Sequence, residues 1–330
     1  MQTNDGAEIE VEDIGVFPIV GNEAVAFELL THEGSKGTAL SPTNPLDQIR
    51  ADLLRAFSPR KARTIAAEVA HEQVLSLERH SDLSRVELIS SVFVPAAARA
   101  LFRSLNIDHP RAVDDLCALF SAAQASNDVK SSLSERITAI ASGVATSVSQ
   151  RDATPLTTPV GEHQLSESGA AHVVELLIMA GVEPVANLAA MTLSDFLENR
   201  EGEAGQTTES VRAAYERTIC DNSPIYPGLY RASSAELVVN GHVHPAGTMF
   251  LIPAVSAEQV GEESKDRRHF TFGAGTRRCV AESLAERLVI ELVSRLADRG
   301  ASHSIHTVWR AGLPRGIRSM RCGFSSAGTL

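Results

Sequence analysis

Cysteine is scarce and scattered in this sequence. The chain has 330 residues and four cysteines, Cys117, Cys220, Cys279 and Cys322, with no CxxC pair among them. Disulfide frameworks and structural zinc sites bring several cysteines together at characteristic spacings. The scattered cysteines therefore argue against a disulfide-stapled scaffold and against a zinc module.

The chain also lacks a net positive charge and long apolar runs. The formal net charge is -11, whereas a surface that binds nucleic acid is basic because it must neutralise phosphates. The first residues, MQTNDGAEIEVEDIG, lack the basic region and apolar run of a signal peptide. No stretch reaches the roughly 18 consecutive apolar residues that span a membrane. We expect a cytoplasmic protein that contacts neither nucleic acid nor membrane.

Apolar residues recur at the helical period along most of the chain. In residues 47–57, for example, the apolar side chains fall on one helix face. Pro95 is expected to kink or divide the third helix. Alternation over 229–252 and the tail 313–324 predict short strands and a hairpin. The predicted fold is mainly α with a small β portion, in a single domain over residues 1–330. The predicted helices are 47–57, 60–79, 84–105, 110–126, 130–149, 168–198, 208–221 and 280–299.

The segment FGAGTRRC contains the most informative group of residues. It places Phe272, Gly273, Gly275, Arg277 and Cys279 just ahead of a predicted helix. The positive end of a helix dipole favours a thiolate, and glycines let the backbone approach a flat cofactor. Arg277 can pair with a carboxylate. The alternative is a buried, inert cysteine at a helix start, but the five residues together favour a thiolate ligand.

This segment resembles the heme-binding loop of the cytochrome P450 family, F-G-x-G-x-R-x-C. The resemblance implies heme b as the cofactor and the Cys279 thiolate as the axial iron ligand; Ala281 stands where the family usually has glycine. Two other segments, IRADLLRAFSPR and YRASSAELVVNGHVHPAG, are similar to regions that bind the heme propionates. Arg50 and Arg231 match their arginines. With Arg277, three arginines would serve two carboxylates.

The segment LLIMAGVEPVANLAA resembles the long I-helix of the family, which crosses the distal face of the heme. The resemblance assigns Ala180 and Gly181 to the place where that helix opens toward bound oxygen, and Glu183 to the acidic position. Pro184 stands where the family usually has a threonine that helps deliver protons. Because proline has neither N–H nor hydroxyl, we expect a kink there and the loss of the usual acid–alcohol pair.

Other positions depart from the family pattern. Counted back from Ser223 and Pro224, the E-x-x-R motif of the family falls on Arg217 and Cys220, so the motif is absent. Leu46 replaces a propionate-binding histidine. The meander before the cysteine loop and the stretch ahead of the C-helix match are both shorter than is usual in the family. The resemblance therefore describes a reduced, N-terminally shortened member of bacterial type.

Basic residues gather around the expected proximal face of the heme. The resemblance implies that an acidic ferredoxin-type electron donor docks there, with an ordinary solvated charge run as the alternative. The residues concerned are Arg60, Lys61, Arg63, Lys265, Arg267, Arg268 and Arg278.

Three functions remain open from the sequence. The first is a heme-thiolate oxidoreductase, a monooxygenase or oxidative tailoring enzyme, acting on a small biosynthetic intermediate. The second is a heme enzyme that does not use O2 in the usual way, of a peroxide-dependent, isomerase or dehydratase type, which Pro184 and the missing E-x-x-R fit better. The third is a non-catalytic partner protein, against which the intact cysteine loop argues. We expect the first.

Overall fold

The described part of the chain forms two compact units. A computed structural model describes residues 8–11, 15–18, 20, 23–31, 35–37, 49–125, 130–149, 154, 156, 165–199, 207–225, 227–233, 235–239, 242–254, 269–309 and 316–324. Unit 1 comprises Met1–Asn44, Ile219–Cys279 and Ala311–Arg315, and unit 2 comprises Pro45–Thr218, Val280–Arg310 and Gly316–Leu330. The single domain over residues 1–330 stays a prediction.

Helices make up most of the described chain. The α-helices are α1 Glu23–Thr31, α2 Arg50–Ala56, α3 Pro59–Leu75, α4 Val94–Ser104, α5 Pro110–Ala125, α6 Lys130–Ser149, α7 Glu167–Gly181, α8 Glu183–Glu198, α9 Thr207–Asp221 and α10 Glu282–Asp298. Short 3-10 turns lie at Ser76–Arg79, Leu83–Arg85 and Gly275–Arg277, and a π-helical turn at Ile89–Phe93.

The β portion consists of small antiparallel sheets. The strands are β1 Glu8–Val11, β2 Gly15–Pro18, β3 Ser35–Gly37, β4 Gly228–Ser233, β5 Leu237–Val239, β6 His242–His244, β7 Met249–Pro253, β8 Ala301–Trp309 and β9 Ile317–Phe324. One sheet has the order β3-β4-β7, and the pairs β1-β2, β5-β6 and β8-β9 form the others. The predicted mainly α class with a small β portion matches this architecture.

Unit 1 has its own apolar core, built between α1, the β3-β4-β7 sheet and the segment that leads to Cys279. Phe250 on β7 is fully buried, and it pairs in register with Arg231 on β4. Side chains from three separate stretches of sequence meet in this core. They are Val20, Ala26, Leu29, Leu30, Val239, Phe250, Ile252, Phe270 and Ala274.

Unit 2 is organised around α3, α8 and α10. The last helix, α10, packs against α3 and α8. Small residues on α3 allow the helices to approach closely, since alanine places little volume at the contact. The buried contact residues of α3 and α10 include Ala66, Val69, Ala70, Leu288, Val289 and Leu292.

Pro95 divides the third predicted helix as expected. The turn before it, Ile89–Phe93, is π-helical, and α4 continues from Val94. Pro95 cannot donate to the carbonyl of Ser91, four residues earlier, because proline has no N–H. The Gln73 side-chain amide, at 3% exposure, donates to that carbonyl at 2.7 Å instead. Arg99 in turn donates to the Gln73 amide oxygen.

The most apolar segment of the chain runs through α7 and α8. By length and composition alone, Glu167–Glu198 would be able to cross a membrane. Polar residues interrupt this segment, so it contains no run of 18 consecutive apolar residues. Over its most apolar window 56% is buried inside the protein. A core helix of a soluble protein passes the same test, because burial in a large core also favours apolar residues on all sides.

Two regions differ from the sequence prediction. The tail 313–324 was predicted to form a hairpin by itself, but its described part is the single strand β9, paired with β8. Three register shifts interrupt β8, so its sequence lacks the clean alternation that marks a strand. The N-terminal elements β1, β2 and α1 were also not predicted.

Candidate heme site

The residues around Cys279 form a closed loop in unit 1. The Cys279 backbone N–H donates to the Phe272 carbonyl at 2.8 Å, which joins the two ends of the loop. Inside the loop, Arg278 N–H donates to the Gly275 carbonyl at 3.1 Å. At its entrance, Gly273 N–H donates to the carbonyl of Phe270, just ahead of the loop, at 2.8 Å. Backbone hydrogen bonds thus fix the loop that carries the predicted ligand.

The Cys279 side chain is exposed. This exposure contradicts the alternative of a buried, inert cysteine. The helix that follows begins at Glu282, with Ala281 as its N-cap, so Cys279 precedes the first helical turn rather than forming part of it. Since the dipole effect falls off beyond the first turn, the loop geometry matters more than the dipole for this thiol.

Two glycines of the loop adopt the left-handed backbone conformation, but only one is short of space. Gly273 has φ +69° and Gly275 φ +67°. A Cβ at Gly275 would lie 2.9 Å from Thr31 Cα and 3.0 Å from the Leu30 carbonyl oxygen, at the end of α1. At Gly273 the nearest atom would be Leu229 Cδ1, at 3.6 Å. Contact with the protein's own helix therefore already requires glycine at position 275, and the cofactor contact predicted for Gly275 stays a prediction.

Arg231 and Arg277 form a pair of cations beside this loop. Arg231 lies on β4, and one of its terminal nitrogens would be 3.9 Å from a Cβ at Gly273. Burial, and then the nearby Arg277 cation, lower the pKa of Arg231 from its usual value. Its Nη1 donates to the Tyr230 carbonyl at 2.9 Å, while its buried Nε has no hydrogen-bond partner in the described part of the chain.

This arrangement fits a carboxylate-bearing cofactor. A half-buried guanidinium whose buried Nε has an open donor, next to a second cation, costs free energy unless an anion pairs with it. A heme propionate would supply that anion, and the exposed Cys279 thiol would supply the axial ligand. The described residues of unit 1 thus include a thiol and two cations of the kinds that heme would need, and their roles stay predictions.

The remaining predicted site residues belong to unit 2. Arg50 is the first residue of α2 and is half-buried. Ala180 and Gly181 form the end of α7, and Glu183 begins α8. The structure thus groups the loop residues with Arg231 and Arg277 in unit 1, and Ala180, Gly181 and Glu183 at the α7–α8 junction in unit 2. Leu46, Lys265, Arg267 and Arg268 lie outside the described residues.

The α7–α8 junction confirms the predicted interruption of the long helix. Val182 separates the two helices, and Pro184 lies in the first turn of α8. Because Pro184 has no N–H, the Ala180 carbonyl lacks its helical donor. Ala180 is exposed, while Gly181 and Glu183 are half-buried. The predicted site residues therefore surround a break in the helix.

Asn187 anchors this break, and the sequence prediction missed it. Its side-chain amide donates to the Glu183 carbonyl at 3.2 Å, and its Oδ1 accepts from Ile317 N–H at 2.9 Å. Asn187 is 5% exposed. A polar residue within the apolar run 185–191 was the available signal, since buried polar groups need partners. The partner, 130 residues away, could not be read from the sequence.

At the E-x-x-R positions, Arg217 makes a different ion pair. Its Nη2 and Nε donate to Asp195 Oδ2 at 2.6 and 3.0 Å, so it joins α9 to α8. Arg212 makes a second link, to Glu286 on α10, at 2.9 Å. Surface ion pairs of this kind contribute little stability individually. In unit 2, α9 is thus tied to its neighbours by pairs that the family motif does not predict.

Known proteins support the family resemblance. No protein-family model matches the sequence. Cytochrome P450-SU2 of Streptomyces griseolus is 28% identical over 155 residues, which cover 42% of this chain and 38% of that relative. The match therefore spans less than half of the relative's length.

Solved structures share the fold over almost the whole chain. MycG, described as a mixed-function P450, superposes with a TM-score of 0.76 at 16% identity, covering 98% of this chain and 94% of that one. HmtN, a post-tailoring hydroxylase involved in himastatin biosynthesis, gives 0.75 at 16% identity, covering 94% and 91%. The predicted P450-like fold is confirmed, while heme and the individual ligand residues stay predictions. The cysteine loop, the shared stretch with cytochrome P450-SU2 and the common fold all show a resemblance to the cytochrome P450 family.

Proposed function

We propose that the chain is a heme-thiolate oxidoreductase, a monooxygenase or oxidative tailoring enzyme, that acts on a small biosynthetic intermediate in the cytoplasm. The observation that carries this proposal is the group in unit 1: an exposed Cys279 thiol beside two cations, one with an open buried donor. None of the four cysteines, all of which lie in the described part of the chain, forms a disulfide, as is usual in a reducing compartment.

The chain's own residues would hold the cofactor and manage protons. Cys279 would bind the iron, and Arg231 and Arg277 would pair with propionates. Arg50 would make a further propionate contact. When bound, heme supplies oxygen activation, and an axial thiolate favours O–O cleavage.

Proton delivery is where this chain differs from its family. Pro184 has no hydroxyl, so Glu183 is the remaining acid at the α7–α8 junction. The Ala180 carbonyl, which Pro184 leaves without its helical donor, can accept a hydrogen bond from water or from substrate. A substrate hydroxyl held there would take the place of the missing side-chain alcohol. This arrangement favours a substrate that carries its own hydrogen-bonding group close to the reacting carbon.

Known tailoring enzymes support the substrate class. HmtN, which shares the fold, is described as a post-tailoring hydroxylase in a biosynthetic pathway. At 16% identity this likeness concerns the fold, so the substrate class rests on analogy. It nevertheless agrees with the sequence-based expectation of a small biosynthetic substrate, without nucleic acid or membrane as a partner.

Electron delivery would use the cations of α3. Arg60, Lys61 and Arg63 are exposed in or next to its first turn, which contains no acidic residue. Cations at a helix N-terminus oppose the helix dipole and cost stability. A docking role for an acidic ferredoxin gives these residues a function that compensates for that cost. Arg278, also exposed, adds a cation beside Cys279.

A ferrous–CO difference spectrum tests the proposal. We expect a thiolate-type Soret band from the wild-type protein, its loss in Cys279→Ser, and its retention in the control Cys117→Ala. A wild-type protein without this band would contradict the proposal and leave the non-catalytic partner role.

The α7–α8 junction favours a second candidate, a heme enzyme that uses peroxide or performs an isomerisation or dehydration. Such chemistry does not need the proton-delivering alcohol that Pro184 replaces. Turnover driven by reduced ferredoxin would support the oxidoreductase, whereas turnover only with peroxide, or without any redox partner, would support the second candidate. In that case Pro184→Thr should introduce ferredoxin-driven oxidation.

A further inference from the structure

A buried pair of hydroxyls connects the cysteine loop to the end of α9. Thr271 and Ser223 are 5% and 2% exposed. The Thr271 hydroxyl oxygen lies 2.9 Å from the Ile219 carbonyl oxygen, in the last turn of α9, and 3.0 Å from Ser223 Oγ. Ile225 N–H donates to Ser223 Oγ at 3.1 Å. All four residues belong to unit 1.

The chemistry of the groups fixes the direction of each hydrogen bond. A carbonyl oxygen can only accept, so the single proton of Thr271 goes to Ile219. Ser223 then donates its proton to the Thr271 oxygen and accepts from Ile225 N–H. Every donor and acceptor in this chain of four groups is satisfied. A fully satisfied network inside a protein is stronger than the same bonds in water, and it fixes one arrangement.

This network reaches the ligand loop through one residue. Thr271 is directly followed by Phe272, whose carbonyl accepts the Cys279 N–H at 2.8 Å. Holding Thr271 in place therefore fixes the peptide against which Cys279 is hydrogen-bonded. On the other side, Phe270 N–H donates to the Ala254 carbonyl at 2.8 Å. The segment that enters the loop is therefore held on both sides of Thr271.

We propose that Thr271 is a positioning residue for the iron ligand, with Ser223 orienting its hydroxyl, and that this neutral network fixes the cysteine loop to the last residues of α9, which belong to the same unit. The inference rests on the proposed heme-thiolate function. The two E-x-x-R positions do not supply charged groups for this connection. Arg217 is paired with Asp195, and the other position is Cys220. The connection made by Thr271 lies in the core of unit 1, where a hydroxyl needs its partner.

The test compares Thr271→Val, which keeps the shape and removes the hydroxyl, with Thr271→Ser, which restores it. The control is Thr218→Val on the same helix, since Thr218 is 2% exposed and donates only within α9, to the Ala214 carbonyl at 2.8 Å. For each reconstituted variant, the ferrous–CO spectrum measures the ratio of thiolate-ligated to thiol-ligated heme, and thermal unfolding measures stability.

In Thr271→Val we expect the thiolate-to-thiol ratio to fall by about tenfold, the factor for one lost buried hydrogen bond. Thr271→Ser and Thr218→Val should keep the wild-type ratio, although Thr218→Val should lower stability by a similar amount. A wild-type ratio in Thr271→Val, or an equal loss in Thr218→Val, overturns the inference. If Thr271→Val does not fold, Ser223→Ala replaces it, with a smaller fall expected and an unchanged ratio again overturning the inference. A wild-type protein with no thiolate band contradicts the proposed function instead.

Discussion

Gly275 is the position at which the cysteine loop has least room for a side chain, and its replacement by alanine measures how closely the loop is seated on α1. Alanine in the left-handed conformation costs about 1–2 kcal/mol relative to its preferred region. Gly275 has φ +67°, so Gly275→Ala meets this cost whatever space surrounds it.

The second contribution comes from the contact with α1. The new methyl group would lie 2.9 Å from Thr31 Cα, whereas carbon atoms in ordinary contact are about 3.5–4.0 Å apart. The loop and the helix end would have to separate by roughly 0.5–1 Å, and overpacking of this kind costs about 1–3 kcal/mol. The total expected loss for Gly275→Ala is therefore about 2–5 kcal/mol.

Gly273 provides a matched control within the same loop. Its φ of +69° is almost identical to that of Gly275, but a Cβ there would meet no atom closer than 3.6 Å. Gly273→Ala should therefore lose only the conformational part, about 1–2 kcal/mol. Urea unfolding of the heme-free proteins measures both losses from the shift in midpoint at constant slope.

The comparison of these two variants tests whether contact with α1 limits the space at Gly275. A loss in Gly275→Ala that does not exceed the loss in Gly273→Ala would show that α1 does not limit the loop, and the steric argument would be wrong. Heme uptake adds a separate test: if Gly273→Ala loses heme affinity well beyond its loss of stability, the open side of Gly273 faces the cofactor. That result would support the cofactor role predicted for Gly273.

Three further predictions concern other parts of the chain. Asn187→Leu should lower the free energy of unfolding by about 1–3 kcal/mol, measured in urea, because the buried Ile317 N–H loses its acceptor; a neutral result would contradict the anchoring role. Lys61→Glu should stabilise α3 by about 0.3–1 kcal/mol through the helix dipole while slowing reduction by an acidic ferredoxin in stopped-flow measurements at low salt; an unchanged rate would refute the docking site. Burial raises the pKa of the Cys322 thiol to about 12, so above a pH of about 9 the unfolded state releases this proton and the native state keeps it. Stability should therefore fall as pH rises, by up to about 1.4 kcal/mol per pH unit, and Cys322→Ala should show a shallower decline in pH-dependent unfolding.

The sequence was sufficient for the features that depend on neighbouring residues. The helix predicted at 130–149 is found as Lys130–Ser149, and Pro184 interrupts the long apolar helix as expected. The spacing from Phe272 to Cys279 indicated the loop because backbone geometry over eight residues is a local property. These features follow from periodicity, proline chemistry and glycine placement.

Features that depend on distant partners could not be predicted. The hydrogen bonds of Thr271 with Ser223 and of Asn187 with Ile317 join residues 48 and 130 positions apart. Gln73 satisfies a carbonyl 18 residues away. Each of these side chains is an ordinary polar residue in the sequence, and only the folded chain brings it to its partner. The strand β8 was missed for a related reason, since its pairing with β9 supplies the order that its own pattern lacks.

The break at Val182 has a mechanical consequence, because its two sides are attached to different neighbours. Below the break, Asn187 ties α8 to β9. Above it, Glu167 and Glu175 on α7 accept from threonine hydroxyls on α6, each at 2.7 Å. The junction therefore joins two separately anchored parts of unit 2, so a displacement of α6 would be passed to α7 while β9 holds α8 in place.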